Sequence, residues 1–227
     1  TRASEPHSHS STMTDFPRRP IEGIVALNPF CLDEHGDVDT EGIRSNVAWL
    51  AERGVHGFIQ FASMGQMYAP SEAEFERVTD VAVETARAND VTCVVGAMGQ
   101  TQREVVRRAT YAEAAGADGV MVALPYAFPV TESWAVDFFE AVDSHVEDVA
   151  IMAYNYPPLT DVNITPEMWR DSLLDLDNVL AIKESNFSVL HRDEVLFAVR
   201  EELNFISPGD TLFWHDSMLG AEGFIGI

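Results

Sequence analysis

Eight short apolar runs, separated by amphipathic stretches long enough for a helix, constrain this chain more than any other feature. They are Gly23–Leu27, Gly57–Phe61, Thr92–Ala97, Gly119–Ala123, Val149–Tyr154, Val179–Lys183, Phe205–Ser207 and Gly223–Ile227. Nearly all are continuously apolar rather than alternating, the pattern of strands covered on both faces. One joint recurs before the second, fourth and eighth: Gly54-Val-His-Gly57, Gly116-Ala-Asp-Gly119 and Gly220-Ala-Glu-Gly223. The first glycine suits the left-handed cap of a helix, and the second opens a strand. Ser71-Glu-Ala-Glu74 and Thr101-Gln-Arg-Glu104 read as capping boxes, and Thr165-Pro166 as an N-cap followed by proline at the first helical position. This succession of βα units predicts an α/β fold, a (β/α)8 TIM barrel over residues 21–227, with the chain ending at the eighth strand. No glycine-rich GxGxxG follows the first strand, which counts against a dinucleotide-binding fold.

Composition narrows the partners. Fourteen Lys+Arg stand against 37 Asp+Glu, giving a net charge of −23. Such a surface repels nucleic acid and anionic membrane. No apolar stretch approaches the length of a membrane span. Acid spread along the chain with almost no lysine predicts a salt-adapted, halophilic-type cytoplasmic protein, in which high ionic strength screens self-repulsion; an acidic protein from ordinary salt is the alternative. Residues 1–20 are polar, rich in Ser, Pro and His, and read as a disordered tail, with Met13 as a candidate natural start. Cys31 and Cys93 have no metal-ligand or disulfide spacing. His7-Ser-His9 is explained by a floppy tail without a metal. The loop Asp33–Asp39 lacks the sixth-position glycine and closing glutamate of a calcium loop and reads as a solvated turn.

Lys183 is the only lysine in the chain. It lies near the C-terminal end of the run Asn178-Val-Leu-Ala-Ile-Lys-Glu-Ser185. A lysine in a low-dielectric strand is costly as a cation, so its pKa falls toward that of a reactive free amine. That chemistry points to a Schiff base with a carbonyl substrate. The plainer reading is a buried lysine paired with Glu184. In a barrel of this kind, chemistry sits where strands end and βα loops begin. There Tyr154, ending the fifth strand, can face Lys183 at the end of the sixth.

The strand-end segments Leu27-Asn-Pro-Phe30, Ser63-Met-Gly65, Leu124-Pro-Tyr126, Tyr154-Asn-Tyr-Pro157, Ile182-Lys-Glu184 and Ser207-Pro-Gly-Asp210, with Gly220–Ile227, occur in a specific order and spacing. From about Ile21 to the last residue they resemble the pyruvate-dependent class I aldolases of the dihydrodipicolinate synthase and N-acetylneuraminate lyase family. The resemblance implies a carbon–carbon lyase acting on pyruvate and an aldehyde, or on a 2-keto sugar acid. Lys183 would be the imine-forming nucleophile and Tyr154 the proton shuttle. Ser63, with the backbone amides of Met64 and Gly65, would bind the carboxylate, and Ser63 would also relay protons. Gly209 and the backbone of Ile225 would line the imine pocket, and Tyr126 either the pocket wall or the packing behind it. The covalent imine would serve in place of any cofactor, and no metal is expected. Homo-oligomers, dimer or tetramer, would be the assembly.

Against the family pattern, Met64 stands where a second hydroxyl is usual, Ala127 where a second tyrosine is usual, and Leu159 where an arginine holds the aldehyde's carboxylate. A neutral aliphatic cannot replace a bidentate guanidinium. The eighth helix and C-terminal helical extension of the relatives are absent from the chain, which predicts an apolar patch over the eighth and first strands. Two alternatives stand beside the lyase of undefined aldehyde: a true 4-hydroxy-tetrahydrodipicolinate synthase using aspartate semialdehyde, and a non-catalytic keto-acid-binding barrel. A metal-dependent aldolase is disfavoured by the lack of a ligand cluster.

Overall fold

The computed structural model describes residues 19–126 and 129–226. The strands are β1 (Gly23–Asn28), β2 (Gly57–Gln60), β3 (Thr92–Gly96), β4 (Gly119–Ala123), β5 (Ala150–Asn155), β6 (Val179–Glu184), β7 (Asn204–Ser207) and β8 (Gly223–Gly226). They form a closed barrel in sequence order, with β8 pairing back onto β1 in parallel. The helices are α1 (Thr40–Glu52), α2 (Glu72–Asn89), α3 (Gln102–Ala115), α4 (Glu132–Asp143), α5 (Pro157–Thr160), α6 (Pro166–Asp171), α7 (Val189–Val199) and α8 (Asp210–Leu219). This is the predicted (β/α)8 barrel. Strand ends differ from the expected ones by a residue or so, most informatively at Phe61.

The recurring glycine joint has a double use. Gly54, Gly116 and Gly220 take positive φ of 79°, 86° and 112° at helix ends. The third residue of each joint accepts an N–H from the start of the preceding strand. His56 Nδ1 takes Ile24 of β1 at 2.9 Å, Asp118 takes Cys93 of β3 at 2.9 Å, and Glu222 takes Phe205 of β7 at 2.8 Å. Backbone donors at the N-terminal rim of the barrel would otherwise be orphaned. The joint therefore ends one helix, opens one strand and satisfies its neighbour.

Three expectations need correction. Arg19 and Pro20, assigned to the tail, are docked on the barrel: Arg19 bonds the Val91 carbonyl and the Asp90 carboxylate, both at 2.7 Å, and the Pro20 carbonyl accepts the Thr92 hydroxyl. The capping box at Ser71 is complete, but the one at Thr101 is half-made. Glu104 reaches past the cap to the Gln100 N–H at 2.9 Å and pairs with Arg108 instead. Phe61, expected to end a strand, has a left-handed backbone with φ 64°. The rest of the predicted tail, and Ala127, lie outside the described residues.

Register partners in parallel strands point the same way, so one position fixes the whole ring. From Lys183 the interior face runs through Tyr154, Ala123, Met121 and Gly96 on one side and through Ile206, Gly223 and Ile225 on the other. Ile24 and Phe224 are register partners on the outer face. Ile24 is 46% exposed, and Phe224 packs on Phe213 with ring centroids 5.0 Å apart. The outer side of β1 and β8 thus presents an apolar surface among the described residues.

Candidate active site

Tyr154 and Lys183 are direct register partners on β5 and β6. Both face the barrel interior at its C-terminal end, and each is only 4% exposed. The Lys183 Nζ lies 4.2 Å from the centroid of the Tyr154 ring. A π face favours an ammonium by about 1 kcal/mol. Burial acts the other way and is the stronger effect: it brings the lysine down to about 8, a change worth about 3 kcal/mol. At pH 7 about a tenth of the amine is then unprotonated, against fewer than about one part in a thousand for a lysine in water.

The plainer reading, a Lys183–Glu184 ion pair, does not hold. Side chains alternate along a strand, and Glu184 points outward into the layer between barrel and helices. There Asn155 Nδ2 donates to its two carboxylate oxygens at 3.0 and 2.8 Å. Among the described residues no charged neighbour offsets the burial of Lys183.

Burial pushes the Tyr154 phenol upward, while the Ser63 and Ser185 hydroxyls facing it pull the other way. The phenol therefore stays protonated at neutral pH with two hydroxyls at hand to exchange protons. Ser63, predicted as a relay, is brought to this point. Ser185 was not predicted, although it lies two residues after Lys183 and so on the same face of the extended chain. Beyond Tyr154, Tyr156 stacks on its ring at 5.7 Å and 8°, and Phe187 meets Tyr156 edge-on at 6.4 Å and 85°. An aromatic wall thus runs outward from the amine to solvent.

Ser63 is placed by the turn after β2. Phe61 takes its left-handed backbone while its ring is buried against Phe30 and Phe75. Its carbonyl leans onto β3, where a Cβ on Gly96 would come within 2.0 Å of it. The turn then closes with Met67 N–H donating to the Ala62 carbonyl at 3.2 Å. Gly65 is pressed against the Asn28 carbonyl, 2.8 Å from where a Cβ would sit. The N–H groups of Ser63, Met64 and Gly65 donate to no protein acceptor among the described residues. Successive backbone donors of this kind suit an anion such as a carboxylate. The Met64 side chain is 60% exposed, so only its backbone is available for that purpose.

The remaining predicted residues divide. Ile225 faces the interior and is buried. Gly209 has φ 122°, a conformation reserved for glycine, directly before α8. Leu159 lies in α5, partly buried against the core. Tyr126 lines a separate cavity of about 290 Å³ with Met67, Tyr68, Met98, Gln100 and Arg108, beyond the ends of β2, β3 and β4. Neither Lys183 nor Tyr154 lines that cavity. Among the described residues no three His, Cys, Asp or Glu side chains gather to hold a metal ion.

Comparison with known proteins agrees with the barrel fold. The Dihydrodipicolinate synthetase family profile matches residues 21–227. The 4-hydroxy-tetrahydrodipicolinate synthases of Methanospirillum hungatei and Methanoculleus marisnigri are each 30% identical over 210 residues, covering 91% of this chain and 71% of theirs. Dihydrodipicolinate synthase from Aquifex aeolicus superposes with a TM-score of 0.85 at 26% identity, over 91% of this chain and 69% of that one. YagE, a prophage protein of the dihydrodipicolinic acid synthase family from E. coli K12, solved in complex with pyruvate, gives 0.85 at 25% identity, over 91% and 70%. The chain belongs to the dihydrodipicolinate synthetase family.

Proposed function

We propose that this class I carbon–carbon lyase forms a covalent imine between Lys183 and the keto carbon of pyruvate. It would then use the derived enamine to make a bond to an aldehyde, or reverse these steps to cleave a 2-keto sugar acid. The observation that carries the reading is the pairing of a desolvated, partly neutral amine with Tyr154 across one register step. The free amine attacks C2, the nitrogen gives up a proton as the carbonyl oxygen takes one up, and a second proton lets that oxygen leave as water. The resulting iminium draws electrons from C3, which loses a proton and becomes an enamine carbon. That carbon attacks the aldehyde, whose oxygen accepts a proton, and the iminium is restored. Water then releases the product and the free amine.

Tyr154 moves these protons at its hydroxyl, with Ser63 and Ser185 as partners. The unpaired amides of the strand-2 turn hold the pyruvate carboxylate. The imine is itself the electron sink, so the reading calls for no resident metal or cofactor. YagE, whose structure contains pyruvate, supports pyruvate as the first substrate.

For the second substrate, Leu159 and the aromatic wall favour an aldehyde without a carboxylate, or a sugar acid. The synthase names of the relatives at 30% identity support the second reading, aspartate semialdehyde. The exposed apolar side chains Phe187, Leu190, Trp214 and Met218 support a homo-oligomer, which light scattering tests directly; a monomer at micromolar concentration would overturn it. No helix among the described residues is long and apolar enough to cross a membrane.

The deciding experiment is borohydride reduction in the presence of pyruvate, followed by peptide mapping. We expect a single adduct at Lys183. Absence of an adduct there, at any salt concentration, would sink the imine mechanism. An aldehyde panel settles the partner, and fastest turnover of aspartate semialdehyde would overrule the reading of Leu159.

A further inference from the structure

We propose that Asn155 and Glu184 form a positioning pair that holds β5 and β6 in the register on which the Tyr154–Lys183 constellation depends. The inference rests on the imine reading above and concerns two residues that touch no reacting atom. Each directly follows a member of the reacting pair in sequence, and each points to the opposite face. Asn155 and Glu184 are themselves register partners.

Their side chains are buried and fully committed. Besides the two contacts to Glu184, Asn155 Nδ2 lies 3.0 Å from Asn163 Oδ1, and its Oδ1 accepts the Ile164 N–H at 3.1 Å. Glu184 also accepts the Asn186 N–H at 2.7 Å, and Asn186 Nδ2 reaches Asn163 Oδ1 at 2.9 Å. The segment after β5 and the segment after β6 are thereby tied to one carboxylate. His191 Nε2 stands 3.7 Å from that carboxylate, at the edge of the group.

The need for such a tie is visible lower in the same strand pair. Between Ile151 and Met152 the register shifts, so that Ile151 pairs Val179 while Met152 pairs Ala181, with Leu180 bulged between them. A bulge loosens the pairing it interrupts. A further one-residue slip of β6 would carry Lys183 out of the interior and Glu184 into it. The Asn155–Glu184 contact lies three residues beyond the irregularity, next to the reacting pair, where it fixes the register that remains.

The test is the single-turnover rate of borohydride trapping as a function of pyruvate concentration. Asn155→Ala should lower the maximal rate by at least about tenfold, since small misplacements of reacting groups cost that much or more. The half-saturating pyruvate concentration should stay within about threefold, because the carboxylate cradle lies on the strand-2 turn and is untouched. Asn155→Asp alone sets two carboxylates face to face and should be slow. Asn155→Asp combined with Glu184→Gln reverses donor and acceptor across the same register. It keeps acceptors for the Ile164 and Asn186 N–H groups, and should return the rate to within about fivefold of wild type.

An unchanged rate in Asn155→Ala, a loss confined to pyruvate affinity, or a double variant as slow as the slower single would overturn the proposal. Urea midpoints report which variants fold, and the double variant decides the matter if the single ones do not. Failure of the wild-type protein to trap pyruvate at Lys183 would remove the imine reading itself. Wild-type trapping with Asn155→Ala unaffected would remove only the positioning pair.

Discussion

Replacing Lys183 by methionine should make the protein more stable and catalytically silent. The gain should depend on pH in a defined way. Burial lowers the folded-state pKa of Lys183 from 10.5 to about 8. The unfolded chain therefore holds a proton on this lysine, between pH 8 and 10.5, that the folded chain has largely released. Stability rises with pH wherever the unfolded state binds more protons. Integrating the two titrations gives a destabilisation by the wild-type lysine of about 3 kcal/mol at pH 7, about 2 at pH 9 and about 1 or less at pH 10. Methionine fills a similar volume with no charge to desolvate.

Lys183→Met should thus gain up to about 3 kcal/mol at pH 7, roughly 6–12 °C in melting temperature for a chain of this size. Most of that gain should vanish by pH 10. The measurement is the difference in urea unfolding free energy between the two proteins, at constant ionic strength, from pH 7 to 10. Groups common to both, such as Tyr111, pushed up to about 12 in the folded state, cancel in the difference. A stability difference that is flat across this range would refute the claim that Lys183 is a desolvated amine. It would also remove the physical basis for its reactivity at neutral pH.

Four further outcomes follow from the same structure. Tyr154→Phe should slow pyruvate trapping by about a hundredfold with little change in half-saturation; a rate within threefold of wild type would move the proton-transfer role elsewhere. Gly96→Ala, whose new Cβ would fall 2.0 Å from the Phe61 carbonyl, should cost at least about 3 kcal/mol and weaken pyruvate binding by displacing the turn that carries Ser63; a wild-type urea midpoint would contradict that contact. Arg192 and Asp216 form a fully buried ion pair behind β6 and β7, so Arg192→Leu should lose about 3–5 kcal/mol; the added Asp216→Leu should restore part of it, and a double variant no better than the single would argue against a stranded charge. With a net charge of −23, the urea midpoint should climb on addition of potassium chloride to molar concentration, and a midpoint indifferent to salt would count against salt adaptation.

The sequence exposed what depends on local pattern. Continuous apolar runs marked all eight strands, since strands covered on both faces have no polar side to show. The isolated lysine then stood out at a strand end, and Tyr154 could be placed beside it. What stayed hidden depends on partners distant in the chain. Ser185 was within reach of the two-residue period counted from Lys183, yet a serine after a strand resembles any loop residue. Phe61 adopts a backbone conformation that its residue type disfavours. Only the packing of its ring between Phe30 and Phe75, and the space left by Gly96, make that conformation affordable. Glu104 was read from its spacing as half of a capping box, but Arg108, one helical turn on, competes for the carboxylate. Asn155 stood only as a strand-end residue and Glu184 as a possible partner for Lys183, because nothing in sequence order shows that they meet across 29 positions.

The same alternation that hid Glu184 also bears on the reactivity proposed for Lys183. A carboxylate one residue away along the chain would hold the ammonium protonated if it shared the lysine's face, since an opposite charge within a few ångströms raises a lysine pKa. The strand puts it on the other face, where Asn155 and the Asn186 N–H satisfy it without a lysine. Desolvation of the amine, orientation of Glu184 and the register of β5 against β6 are therefore one arrangement. A slip of one residue would bring the carboxylate inside and carry the amine out, undoing all three together. On the proposed mechanism, the activity of Lys183 would depend less on any group it touches than on the barrel keeping β6 in place. For that reason the buried contacts behind the strand would bear on the proposed chemistry as directly as the tyrosine in front of it.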